Sequence, residues 1–102
     1  AEERGRAVVH EALSRLTPPK RRALAACWQA RGDRASALAM LGLSGATKEA
    51  KYRGYDGPLF HAKRELAEAL RPHQEALAAL PYERLWAMIC EELCGRSPDL
   101  AL

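Results

Sequence analysis

One hundred and two residues, 48% apolar, 28% charged and 6% aromatic, suffice for one small globular domain with a single modest core and are too few for two. Twenty are Ala and fifteen are Leu, against five Val, Ile and Thr together, which argues against strands and leaves an all-α fold. The net charge of +3 is unevenly spread, with +7 in residues 1–64 and −4 in residues 65–102, and so predicts a basic face for an anionic partner and an acidic far end.

In chain order, Val8, Val9, Ala12, Leu13 and Leu16 share one face of a first helix, Glu2 to Leu16. Thr17 followed by Pro18 and Pro19 starts a second, since Thr caps well and proline is tolerated where no backbone donor is needed. This helix runs to Arg31 and buries Ala23, Leu24, Cys27 and Trp28, and Gly32 supplies the left-handed residue that ends it. Asp33 caps a third, short helix, Arg34 to Leu41, closed by Gly42. The polar stretch 46–57 alternates basic with aromatic residues and holds two interior glycines. It predicts a short helix to Arg53 and then a loop.

Helix resumes at Pro58, with Leu59, Ala62, Leu66, Leu70, His73, Leu77 and Leu80 as one apolar seam, broken or kinked at Pro72. A last helix opens at Pro81 and carries Tyr82, Leu85, Trp86, Ile89 and Leu93 before Gly95 and the Ser97-Pro98 stop. No stretch approaches the roughly 18–20 apolar residues of a bilayer span, and the charged start is unlike a signal peptide. Three cysteines, an odd number, fit reduced thiols. These features predict a soluble, cytoplasmic chain; because Ala1 is not Met, an upstream domain is also an expectation.

The segment Asp33 to Ser44 is the informative one: a capped short helix, a glycine turn, an apolar plug at Leu43 and a Ser that could cap the next helix. A helix-turn-helix needs these parts, because a turn of three or four residues must set two helices at a steep angle so that the second enters the major groove. The order Ala12-Leu13-x-x-Leu16-x-Pro18-x-x-Arg21-Arg22, then Leu41-Gly42-Leu43-Ser44, then Leu59-x-x-Ala62-Lys63-Arg64-x-Leu66-x-x-Ala69-Leu70 resembles region four, the C-terminal promoter-binding domain of sigma factors of the extracytoplasmic-function kind. The resemblance implies a small helical bundle containing a helix-turn-helix over residues 1–71, with residues 72–102 as an additional helical extension packed on it. It also implies a transcription regulator that binds double-stranded promoter DNA and docks on RNA polymerase.

About ten residues separate Ser44 from the Pro58 helix where the family has almost none. Either Thr47-Lys48 opens the recognition helix, or 48–56 is an inserted loop. Leu38 stands where such motifs favour a small residue, with Ala37 and Ala39 beside it. The expected DNA contacts are Arg34, Lys48, Lys51, Tyr52, Arg53, Tyr55, His61, Lys63 and Arg64. Lys20, Arg21 and Arg22 oppose the dipole of their own helix and would suit an acidic partner, while Leu85, Trp86 and Ile89 would face a protein partner or a second copy.

No nucleophile, carboxylate pair or phosphate loop accompanies His10, His61 and His73, so no enzyme activity and no cofactor are expected. Cys90 and Cys94 lack partners at zinc spacing and read as buried thiols, so no metal is expected either. The alternative function, from a different class, is a sigma-like module that binds polymerase or a sigma factor without reading DNA.

Overall fold

A computed structural model describes residues 2–78 and 80–94, and within them every side chain except those of Glu2, Tyr82, Trp86 and Cys94. The fold is all-α, with no strand among the described residues. Its contacts divide into two compact units, residues 16–65 and residues 1–15 with 66–102.

The continuous unit begins with α2, Pro18–Gln29. Thr17 takes the extended N-cap backbone and makes no side-chain cap bond, because Pro18 and Pro19 have already removed two of the donors that a cap would satisfy. The helix ends at Gln29, two residues earlier than expected. Its stop is a Schellman motif in which Gly32 N–H donates to Cys27 O at 2.9 Å and Arg31 N–H to Trp28 O at 3.1 Å. Two residues are left-handed here, Arg31 at φ 55° as well as Gly32 at φ 84°.

Asp33 caps α3, Arg34–Met40, accepting from Ser36 N. A second Schellman motif closes it, with Leu43 N–H to Leu38 O at 2.8 Å and Gly42 N–H, at φ 71°, to Ala39 O at 3.1 Å. Leu43 then packs on the same cluster as Leu38, the apolar contact that such an ending favours. Ala37 and Leu38 are both buried, so the small residue beside Leu38 is the one that admits close packing.

Seven residues, 41–47, link α3 to α4, Lys48–Lys51, in place of a turn of three or four. Thr47, not Ser44, caps it, accepting from Ala50 N at 3.1 Å. No loop follows. Residues Tyr52–Asp56 form a π-helical turn, in which Gly57 N–H reaches back five residues to Tyr52 O, and α5 continues over Gly57–Leu70. The wide turn explains how Pro58 stays inside a helix. Proline brings no donor and crowds the carbonyl four residues back, and a five-residue turn relieves both constraints at that point. Ala23, Ala26, Ala37, Leu38 and Tyr55 form the core of this unit, with Cys27, Leu41, Leu43 and Leu59 packed on its margin.

In the discontinuous unit α1, Glu2–Ser14, packs on α7, Tyr82–Cys94, and on α6, Gln74–Ala78, which follows a 3-10 turn over Arg71–His73. Pro72 therefore tightens the seam into that turn, as a residue without a donor should. Val9, Leu13 and Met88 are fully buried, each contributing about 1.5–3 kcal/mol. Gly5 is bare for a reason: a Cβ there would lie 2.5 Å from Leu80 Cδ1. At the margin, Arg6 pairs with Glu91 and His10 Nδ1 with Glu92, each at 2.7 Å. Gly95 and the Ser97-Pro98 stop lie outside the described residues.

Candidate nucleic-acid interface

The two units divide the charge. Residues 16–65 hold ten Lys and Arg against four Asp and Glu, a net +6, and the remainder of the chain is net −3. The basic unit is therefore the one built around α3 and the α4 to α5 helix, and most of the expected DNA contacts belong to its surface.

Lys48, Tyr52, Arg53, Lys63 and Arg64 are exposed, and Lys51 and His61 are half-buried. Lys48, Arg53 and Lys63 form no ion pair with any described residue. Cations kept in water without a carboxylate are what a phosphate contact requires, since an internal partner would have to be displaced first.

Tyr55 is a correction. It is 2% exposed and packs among Ala23, Ala26, Ala37 and Leu38, so it cannot touch DNA. Burial, and then a hydrogen bond to the Cys27 thiol, hold its phenol well above the ordinary range. The alternation of basic and aromatic residues hid this, because the π turn decides which aromatic faces inward. Two cations are also engaged elsewhere. Arg34 clamps Asp56 with two bonds, Nε to Oδ1 at 3.0 Å and Nη2 to Oδ2 at 2.7 Å, tying α3 to the π turn. The clamp pushes the Arg34 value up and holds the Asp56 carboxyl below the usual carboxylate range, with Lys51 adding a smaller pull on Asp56. Lys20 Nζ meets Glu65 Oε2 at 2.6 Å. Beside it Arg22 is exposed and Arg21 half-buried.

Phe60 was missed by the sequence reading, although it is 62% exposed. The signal was present: Leu59, Ala62 and Leu66 define the inward stripe, and a phenylalanine one residue off that stripe must point outward. The Arg64 guanidinium carbon stands 5.9 Å from the centroid of its ring, in the cation–π range, and the His61 ring meets it edge-on at 5.4 Å.

Of the expected protein-binding residues on α7, Ile89 is buried and unavailable, a second correction. It falls inward because α7 turns its 88–90 stretch into the unit's core. The Trp86 side chain lies outside the described ones. Leu85 is half-buried and lines an open groove of about 490 Å³ with Leu70, Arg71, Gln74 and Leu77. Cys27 and Trp28, expected inside, are half-buried, and Cys90 is buried as expected. Among the described residues there is no group of three or more potential metal ligands, and no helix is long and apolar enough to cross a membrane. Compared with protein-family models, with curated proteins and with solved structures, the chain matches none.

Proposed function

We propose that the protein is a DNA-binding transcription regulator of the sigma region-four type, engaging duplex DNA through the face formed by α4, the π turn and the first half of α5. The observation that carries this reading is the run of exposed Lys48, Arg53, Lys63 and Arg64 on one helix of a unit with net charge +6, none of the four in an ion pair with a described residue. Lys51 adds a fifth cation. The capped α3 and its glycine turn would lie across the DNA backbone, as the first helix of such motifs does. Docking on RNA polymerase, and a cytoplasmic location, belong to the same reading, with Arg21 and Arg22 as the polymerase-facing cations.

The test is duplex binding by fluorescence anisotropy across a salt series. Five phosphate contacts give a slope of about −4.5 in log affinity against log salt, roughly a five-hundredfold loss from 50 to 200 mM. Lys51→Ala or Arg53→Ala should each flatten that slope by about one. A flat response would refute the reading.

A second reading keeps the fold without DNA contact, as a module binding polymerase or a sigma factor. Exposed Met40, at 52%, and the unusually long 41–47 link favour it. Salt-independent co-purification with polymerase, with no duplex binding, would be its signature.

A further inference from the structure

One exposed aromatic ring on a small protein is ordinary. Two on one stripe of one helix, set among cations, form a pattern that duplex binding alone leaves unused. Tyr52 is 60% exposed and Phe60 62%. In an uninterrupted α-helix, residues eight apart are offset by about 80° around the axis. The π turn takes up most of that offset. The Tyr52 ring lies over Gly57, where a Cβ would stand 3.2 Å from Cε1 and 3.3 Å from Cζ. Phe60 follows Gly57 by three residues and Arg64 follows Phe60 by four, the spacings that stack side chains on one face.

The stripe is thus Tyr52, Gly57, Phe60, Arg64: a ring braced on bare backbone, then, three residues beyond that backbone, a ring with a guanidinium over it. Arg53 directly follows Tyr52 and Lys63 comes three residues after Phe60, and both are exposed. A phenyl ring has no donor or acceptor for base edges. What it offers is a face. In continuous duplex the faces of the bases are covered by their neighbours, and they become available where strands are unpaired. Rings for base faces with cations for the phosphates is the chemistry of single-strand binding.

We propose that Tyr52 and Phe60 form a stacking platform for unpaired bases, so that the preferred ligand of this basic face is DNA containing a short unpaired stretch. The inference rests on the nucleic-acid reading above and names the state of the DNA that the face selects.

The test compares, at one salt concentration, a labelled duplex with the same strand annealed to a partner that leaves a short central bubble. Wild type should bind the bubble more tightly; Phe60→Ala should weaken bubble binding by roughly five- to a hundredfold while leaving the paired duplex within about twofold, and Tyr52→Ala should weaken the bubble by a larger factor than the duplex. Phe60→Trp should retain the preference, and all variants should melt like wild type because both rings are exposed. Equal wild-type affinity for the two DNAs, with a normal salt slope, overturns the platform and leaves duplex binding standing. A loss in Phe60→Ala that is the same for both DNAs assigns the ring to the groove of paired DNA and also overturns it. Sedimentation that shows a wild-type dimer abolished by Phe60→Ala, with bubble binding unchanged, gives the rings to a second copy. Absence of binding to either DNA defeats both readings.

Discussion

Replacing Tyr55 separates a core residue from a DNA contact. Its ring fills a space framed by three alanines, Ala23, Ala26 and Ala37, together with Leu38, and only 2% of it meets solvent. Alanine neighbours have no side-chain length with which to collapse into a void, so Tyr55→Ala should cost near the upper part of the 3–5 kcal/mol typical of aromatic truncation. Set against a total of about 5–15 kcal/mol for a domain of this size, the variant should melt at least 15 °C below wild type, or fail to fold. Tyr55→Phe keeps the ring and loses only the hydroxyl, so it should melt much closer to wild type than Tyr55→Ala. The assay is thermal melting followed by circular dichroism at 222 nm, with duplex affinity measured on the Phe variant. If Tyr55→Ala melted with wild type while Tyr55→Phe lost DNA affinity, the inward placement of Tyr55 would be wrong.

Gly42→Ala places a Cβ at φ 71° and should lower stability by about 1–2 kcal/mol, read as a lower urea midpoint with unchanged slope; no shift would mean that the α3 ending is not left-handed. Asp56→Asn removes the Arg34 clamp. Because the folded-state value of Asp56 lies below its unfolded value of about 3.9, the wild-type advantage is fully present above roughly pH 5 and fades as pH falls through the depressed value. Melts of the pair should therefore differ at pH 7 and converge as the pH falls below the Asp56 value, and a gap that widens in acid would contradict the clamp.

Composition alone was enough to read an all-α fold, because a chain so rich in Ala and Leu and so poor in β-branched residues has no other economical way to satisfy its backbone. Asp33 as a cap and Gly42 as a left-handed ending were equally legible, since both depend on neighbours within a few residues. The π turn was not. It accommodates Pro58 by widening the turn just before it, whereas periodicity assumes a constant 3.6-residue turn. The alternation of basic and aromatic residues drew Tyr55 outward, whereas Phe60, one residue off the inward stripe of Leu59, Ala62 and Leu66, was legible at ordinary helical spacing. The clamp of Arg34 on Asp56 and the pair of Lys20 with Glu65 join residues 22 and 45 positions apart, which no local pattern encodes.

The pairing of α1 with α7 has a consequence for the order in which the chain acquires structure. Arg6 and Glu91 are 85 positions apart, so α1 leaves the ribosome long before its partner exists. Its apolar stripe of Val9, Ala12 and Leu13 must wait uncovered through synthesis of everything between. The unit 16–65 has no such delay, because α2, α3 and the π turn are near neighbours in sequence, and low contact order favours early folding. The basic face would thus be assembled first, and the acidic unit would close only when both of its ends had been made.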